Sequence, residues 1–274
     1  MSEANQPPPA DEPAADSETP SSGPYGGGLA KWRRDVWLTL GFFTRLPVKS
    51  VTGNLGEAAA AFPFAGLVVG LIGALVYFVA MEIGLSGLLA ALLAVAATGI
   101  VTGALHEDGW ADVCDALGAR GGVAERLEIL RDSRLGSYGG LALIFGTSIK
   151  VAAIANLGAP ELVAGALVAT HTLSRGVLPL IMARMQLARS TGLAAGAGRP
   201  TQSAANWSLV IALLISVIAV APVAALVALL AALAATWLVG KLAQKKFGGY
   251  TGDVLGAVEQ VAEMAILINL VTLA

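Results

Sequence analysis

The stretch AFPFAGLVVGLIGALVYFVAM, residues 61–81, decides the fold class, because it runs for 21 residues without a single charged side chain. A helix of about 20 apolar residues is long enough to cross the ~30 Å hydrocarbon core of a bilayer. Other apolar stretches predict further spans at about 84–105, 138–157, 161–182, 207–221, 222–239 and 254–273. The sequence therefore predicts an all-α, polytopic integral membrane bundle with six or seven transmembrane helices.

The composition of the whole chain supports this class. Of its 274 residues, 56% are hydrophobic and only 13% are charged, and the mean hydropathy is +0.73. These values lie outside the range of soluble domains. The formal net charge of −2 does not bear on a nucleic-acid partner, and no basic patch in the sequence indicates one. The single cysteine, Cys114, excludes an internal disulfide and a multi-cysteine metal site.

Two segments at the start of the chain differ from the spans. Residues 1–30 contain five acids, no Lys or Arg, and many Pro, Ser and Gly residues, a composition that predicts a disordered acidic tail. Residues 31–49, KWRRDVWLTLGFFTRLPVK, mix basic and aromatic side chains, which is typical of an interfacial helix lying on the bilayer. We expect residues 31–274 to form one membrane-embedded domain.

The stretch from Trp207 to Val239 leaves two topologies open. As one helix it would be roughly 50 Å long, too long for a single span. Pro222 near its centre favours two short spans joined by a turn. With that turn, four basic segments lie on one side of the membrane, which the positive-inside rule makes cytoplasmic. These segments are 31–49, 120–134, 184–199 and 241–246, and we expect residues 184–199 to form a mobile lid.

An acidic window, HEDGWADVCDALGAR at 106–120, interrupts the apolar pattern. Asp108, Asp112 and Asp115 follow i, i+4, i+7 spacing, so a helix places all three on one face, with Glu107 beside them. Carboxylates so close together repel each other unless a cation lies among them. Oxygen ligands without His or Cys favour Mg²⁺ or Mn²⁺, and Asp132 is a further candidate ligand. The alternative is an ordinary solvated cytoplasmic loop.

Four arginines follow the acids, at positions 120, 126, 131 and 134. Arginine is the preferred planar partner of phosphate, so acids and arginines together indicate phosphoryl or nucleotidyl transfer. The alternative for Arg126 is pairing with the neighbouring glutamates on a solvated helix.

Charged residues also occur inside predicted spans, where charge is costly and usually functional. Lys150 and Arg175 are the main candidates, and His171 lies one helical turn before Arg175. Glu259 and Glu263 are as consistent with structural pairing as with function. Near the last span, Thr251 or Asp253 is also suited to capping the helix that follows.

The sequence resembles the cobalamin synthases, or adenosylcobinamide-GDP ribazoletransferases, along almost everything after residue 40. The matching stretches are FFTRLPV (42–48), FPFAGLVVGLIGALV (62–76), HEDGWADVCDALGAR (106–120), ILRDSRLGSYGGLALIF (129–145), LSRG (173–176) and GGYTGDVLGAVEQVAEM (248–264). One departure is Ala116, where the family commonly has glycine; this change removes no ligand.

The resemblance implies a Mg²⁺-dependent enzyme of the bacterial cytoplasmic (inner) membrane, with its active site on the cytoplasmic side. Adenosylcobinamide-GDP would react with α-ribazole or its 5′-phosphate to give adenosylcobalamin, or its 5′-phosphate, and GMP. We expect the metal ligands to be Glu107, Asp108, Asp112, Asp115 and Asp132, the aspartates among them being catalytic. We expect substrate to contact His106, Arg131, Arg134, Lys150, Arg175, Thr251 and Asp253.

Two other functions remain open at this point. A cation-coupled transporter would use Lys150, Arg175, Glu259 and Glu263 as an intramembrane relay. A scaffold would gather other corrinoid-pathway enzymes at the bilayer. If the chain is itself an enzyme, those enzymes and a second copy of the chain are its candidate protein partners.

Overall fold

The computed structural model describes residues 28–132 and 134–274, which form a bundle of twelve α-helices with no β-strand in that part of the chain. The helices are α1 (Leu29–Phe43), α2 (Phe62–Glu82), α3 (Gly87–Thr102), α4 (Leu105–Gly118), α5 (Val123–Ile129), α6 (Ser137–Leu157), α7 (Pro160–Gly176), α8 (Leu178–Arg184), α9 (Leu193–Ala197), α10 (Gln202–Ala219), α11 (Pro222–Phe247) and α12 (Gly252–Leu273).

Six segments of the described chain are long and apolar enough to cross a membrane: Ala59–Glu82, Ser137–Leu157, Pro160–Arg184, Gln202–Ala219, Pro222–Phe247 and Gly252–Leu273. This confirms the predicted helical membrane bundle. The break at Val220 and Ala221 separates α10 from α11, which pack together, so the stretch around Pro222 forms two spans.

The predicted span at 84–105 corresponds to α3 and to the bend that follows it, and α3 with α4 is a candidate seventh span with a break. Helix α3 ends at Thr102, and α4 starts at Leu105 after a bend of 91°. Gly103 and Ala104 both have positive φ angles, 65° and 54°, and residues in this conformation cannot continue a right-handed helix. Because α4 does not continue the direction of α3, we treat α4 as lying outside the six spans.

The prediction for 161–182 needs a smaller correction, because this span consists of two helices. Helix α7 ends at Gly176, α8 begins at Leu178, and Pro179 has no backbone N–H to donate to an unbroken helix. The window of this span is 94% buried, which makes it the central element. Helices α2, α10 and α12 pack around it.

Helix α1 covers most of the predicted interfacial segment, and Trp32 and Trp37 are exposed on it. Its placement at the membrane surface stays a prediction. The predicted disordered tail lies outside the described residues except for 28–30, and Leu29 already belongs to α1.

Glycines within residues 61–81 explain how α2 packs. A Cβ at Gly66 would lie 2.1 Å from the carbonyl oxygen of His171, and one at Gly70 would lie 2.7 Å from that of Leu167. Glycines four residues apart let two membrane helices approach backbone to backbone. The glycines of α2 therefore place it directly against α7.

We expect Gly66→Ala to lower the thermal unfolding midpoint in detergent micelles. The added methyl group would overlap the α7 backbone, and overpacking of this kind costs typically about 1–3 kcal/mol. Gly99→Ala on α3 is the matched control, because a Cβ there meets nothing within 4 Å. The control midpoint should be unchanged or higher, since Ala is the better helix former. Equal midpoints for the two variants would contradict the close packing.

Candidate active site

Close packing of α4 against the start of α12 forms the acidic part of the site. A Cβ at Gly109 would lie 2.9 Å from the backbone of Asp253, and one at Gly256 would lie 3.0 Å from the carbonyl oxygen of His106. Only glycine permits so close an approach. The two glycines therefore bring the acidic face of α4 to Asp253, which lies 145 residues after Asp108 in the sequence.

Asp112 lies in the field of three other carboxylates. Partial burial raises its pKa to about 7, and the negative charges of Asp108, Asp253 and Asp115 add to the rise. Arg189 opposes the rise, and its Nη2 lies 3.2 Å from Asp253 Oδ2. The sequence predicted the group from α4; the structure adds Asp253, which had been assigned only to substrate binding. As acidic oxygen donors, these residues have the chemistry that a hard divalent cation prefers.

Asp115 has a second set of contacts that the sequence did not indicate. Its two oxygens accept hydrogen bonds of 2.8 Å from the backbone N–H groups of Gly136 and Gly139, at the start of α6. A Cβ at either glycine would lie 2.3 Å from an Asp115 oxygen. Asp115 thus caps α6, where a negative charge is favoured by the unpaired N–H groups and the helix dipole. Its role as a metal ligand stays a prediction.

The other charged residues between α4 and α6 differ in their exposure to solvent. Asp132 is paired with Arg134 through a 2.5 Å contact, and this arginine lowers the pKa of Asp132 to about 2. Arg131 is exposed. Arg126, which the solvated alternative placed in water, is buried and donates to the last carbonyls of α4, including that of Leu117 at 3.0 Å. The structure thus gives Arg126 a capping role.

A cavity of about 280 Å³ adjoins the acids, and we call it the inner cavity. Asp108, Asp253, His106 and Arg189 line it on the polar side. The apolar side is lined by Phe42, Phe43, Leu55, Phe62, Leu105, Leu178, Met182, Leu193, Ala194, Ala197 and Leu255. Its position makes the carboxylates accessible to a ligand.

The segment that carries Arg189 is the first part of the predicted lid. Ala188 donates a backbone hydrogen bond to Tyr250, and Tyr250 donates one to Gln186, at 2.9 and 3.0 Å. This pairing anchors the segment beside the start of α12 and aims Arg189 at Asp253. Leu193 and Ala194 of α9, further along the predicted lid, form a wall of the inner cavity. Mobility of the lid stays a prediction.

Thr251 has the capping role that the sequence left open. Its Oγ1 accepts a hydrogen bond from the Val254 N–H at 3.2 Å and donates one to Asp253 Oδ2 at 3.0 Å. Thr251 therefore begins α12 and orients the Asp253 carboxylate. Direct substrate contact by Thr251 stays a prediction.

A second polar group lies inside the bundle, beneath α4, and we call it the charge network. Lys150 on α6 lies 3.1 Å from Glu263 Oε2 and 2.9 Å from Gln260 Oε1, both on α12. Arg175 on α7 lies 2.6 Å from Glu259 and 3.3 Å from Glu263. All five side chains are nearly inaccessible to solvent. Two cations and two anions thus compensate one another where water is absent.

Three further side chains join the charge network. His171 Nδ1 lies 2.5 Å from Glu263, and Ser174 donates to Glu259 at 3.1 Å. Glu107 Oε1 on α4 lies 3.5 Å from Lys150 Nζ. The structure therefore places Glu107 in the charge network, next to α6 and α12, while its assignment as a metal ligand stays a prediction.

His106 connects the charge network to the inner cavity. Its Nδ1 lies 3.4 Å from Arg175 Nη2, and its ring stacks on Phe43 with 5.7 Å between centroids. Burial, and then the positive charge of Arg175, lower the pKa of His106, so the ring is neutral. Because a guanidinium can only donate, Nδ1 is the acceptor and Nε2 carries the hydrogen.

The charge network surrounds Lys150 and Arg175 with Glu259 and Glu263, the two acids that the sequence singled out on α12. The structure thus favours the alternative of structural pairing for these glutamates. Contact of Lys150 and Arg175 with substrate phosphate stays a prediction. No sequence signal pointed to Arg189 in particular, because its proximity to Asp253 depends on packing across 64 residues.

The model of the cobalamin-5-phosphate synthase family matches residues 35–271. The chain belongs to this family. Proteins described as adenosylcobinamide-GDP ribazoletransferase are similar to it along most of its length. One from Bradyrhizobium diazoefficiens is 42% identical over 85% of this chain and 92% of its own length. One from Mesorhizobium japonicum is 42% identical over 85% and 91%, and one from Rhizobium johnstonii is 37% identical over 87% and 96%. No solved structure matches.

The family resemblance inferred from the motifs is thereby confirmed, and the transporter alternative is wrong. Curated relatives that match almost end to end are transferases by description. The charge network also pairs all four residues of the supposed relay with one another or with their neighbours.

We expect Asp108→Asn to lower the pKa of Asp112 from about 7, because one of its repelling charges is removed. An infrared titration of the carboxylic acid C=O band in metal-free buffer measures this change. Asp112 binds a proton more tightly folded than unfolded, so the unfolding free energy falls as pH rises from about 4 to about 7. The variant should lose less stability across that window.

Asp132→Asn is the control for this titration, because Asp132 pairs with Arg134 and does not contribute to the raised pKa of Asp112. An unchanged Asp112 titration in Asp108→Asn would mean that the two carboxylates are farther apart than the structure places them.

We expect Lys150→Met to destabilise the protein by about 3–5 kcal/mol, because Glu263 would be left with one cation fewer inside the bundle. Denaturant-induced unfolding in mixed micelles measures this loss. Arg134→Met is the comparison: its pair with Asp132 is exposed, so stability should not change measurably. Comparable small effects in both variants would argue against a structural role of the charge network.

Proposed function

We propose that this chain is an adenosylcobinamide-GDP ribazoletransferase whose chemistry takes place where α4 meets the start of α12. A ribose hydroxyl of α-ribazole, or of its 5′-phosphate, attacks the phosphorus attached to cobinamide. The bond from that phosphorus to GMP breaks, GMP leaves, and the hydroxyl proton passes to a base. The observation that supports this site is the convergence of Asp108, Asp112 and Asp253 beside the inner cavity, in a member of this family.

We infer that these three aspartates hold Mg²⁺. The support is the donor set, which is made of carboxylate oxygens close enough to raise the pKa of Asp112. When bound, Mg²⁺ neutralises charge on the phosphate oxygens and on the departing GMP. Asp115 and Asp132 remain the candidates for accepting the hydroxyl proton.

The chain's own residues account for binding and orientation. Thr251 and Arg189 fix the Asp253 carboxylate from two directions, at 3.0 and 3.2 Å. The charge network fixes α6, α7 and α12 relative to one another, and α4 contacts it through Glu107 and His106. We therefore assign Lys150 and Arg175 to positioning α4, and the exposed Arg131 and Arg134 to contact with substrate phosphate.

The location of the site follows from the charges. Basic segments from several elements meet at one end of the bundle, where α5 contacts α11 and the Arg189 segment contacts the start of α12. By the positive-inside rule this end faces the cytoplasm, so we place the protein in the bacterial inner membrane with a cytoplasmic site. Self-association and binding to other corrinoid-pathway enzymes stay predictions.

We expect Asp108→Asn and Asp112→Asn each to lower kcat for GMP release by at least 100-fold, because each removes a carboxylate from the cation site. The assay uses purified protein in liposomes with adenosylcobinamide-GDP, α-ribazole and Mg²⁺, and detects GMP and cobalamin together. Glu128→Gln, at an exposed position of α5, is the control and should keep wild-type activity. Full activity in both aspartate variants would refute the assignment of the site.

A further inference from the structure

The inner cavity is lined by two chemically different sets of residues. Phe43, Phe62, Leu178 and Met182 belong to the apolar set, and all four are buried. The polar set is His106, Asp108, Arg189 and Asp253. A mostly apolar pocket with a few polar groups is the usual form of a small-molecule site. Its ligand should therefore have an apolar part and a hydrogen-bonding part.

Two donor nitrogens of residues that line the inner cavity lack a hydrogen-bond partner among the described residues. They are His106 Nε2 and Arg189 Nη1, both inaccessible to solvent. Buried donors are nearly always paired in folded proteins, so unpaired ones at a cavity wall point to a ligand that accepts from them. A ribose, with several hydroxyl oxygens, has the acceptors that these two groups require.

Size separates the two substrates of the proposed reaction. The inner cavity, at about 280 Å³, is just below the range typical of drug-sized ligands. A bicyclic base with one ribose is small enough for it, and a corrin macrocycle is not. A second, outer cavity of about 790 Å³ adjoins it and shares Phe42, Leu55, Gly192, Leu193 and Ala197 as walls. The larger substrate is therefore not the ligand of the inner cavity.

We propose that the inner cavity is the binding site of the acceptor nucleoside, α-ribazole or its 5′-phosphate. Its aromatic base lies against the apolar lining residues, and its ribose lies against His106 and Arg189. This orientation directs the attacking hydroxyl towards Asp108 and Asp253. The assignment rests on the proposed function, because that function supplies the identity of the nucleoside.

Neighbouring residues of α9 allow a matched test. Ala194 is buried in the wall of the inner cavity, whereas Ala195 is half-buried and lines neither cavity. Ala194→Leu should fill part of the slot, Ala194→Val should fill less of it, and Ala195→Leu adds the same volume outside it. Thermal unfolding midpoints of the three variants show that each is folded.

The measurement is isothermal titration of α-ribazole, and separately of its 5′-phosphate, into the full chain in nanodiscs without donor substrate. We expect wild type and Ala195→Leu to bind equally, and Ala194→Leu to bind at least tenfold more weakly, with Ala194→Val between them. Steady-state assays should show the same order in KM for the acceptor and no change in KM for adenosylcobinamide-GDP.

Other outcomes would overturn the assignment. They are a wild-type protein that binds neither acceptor, equal binding by Ala194→Leu and wild type, or an increase in KM for the donor alone. The last result would leave the proposed function intact, since GMP would still be released. Conversely, wild type could bind the acceptor, and Ala194→Leu could weaken that binding, while wild type releases no GMP. This result would refute the proposed function but would still support the inner cavity as the binding site.

Discussion

The compensation of charge inside the bundle is the constraint on which the rest of the structure depends. A lysine on α6 and an arginine on α7 are nearly inaccessible to solvent, so glutamates of α12 must compensate them: Glu263 contacts both cations, and Glu259 contacts Arg175. This requirement fixes three spans relative to one another. Helix α4 then packs against these spans through Glu107 and His106. This contact positions the aspartates that α4 carries. These buried charges thus help to determine where the aspartates lie.

Close backbone contact is the second determinant, and glycine makes it possible at both levels of the molecule. In the bundle, Gly66 and Gly70 allow α2 to touch α7; at the site, Gly109 and Gly256 allow α4 to touch α12. Hydrophobic burial alone does not drive helices together in a lipid environment, so packing at short range and polar contacts must do so. The first pair of glycines allows the packing that stabilises the bundle. The second pair allows the packing that holds the carboxylates of α4 and Asp253 close together despite their mutual repulsion.

The sequence predicted most of the fold because the length of an apolar run is a local property. Even the division at Pro222 could be inferred, since one helix of that length would not match the bilayer. The bend at Gly103 and Ala104 could not, because a left-handed alanine has no sequence signature. In the site, the i, i+4, i+7 spacing predicted the acidic face of α4. The capping role of Asp115 and the approach of Arg189 to Asp253 depend on tertiary packing, which spacing does not encode.

The cap that Asp115 makes on α6 also closes a ring. The chain leaves α4, passes through α5 and returns to the same carboxylate at Gly136, so one side chain joins positions 21 residues apart. Arg126 ties the inside of this ring to the end of α4. A closed loop has far fewer conformations than a free one of equal length. The exposed arginines at 131 and 134 therefore belong to a loop whose ends are held together. Binding of a phosphate group by these arginines would cost little further conformational entropy of the loop.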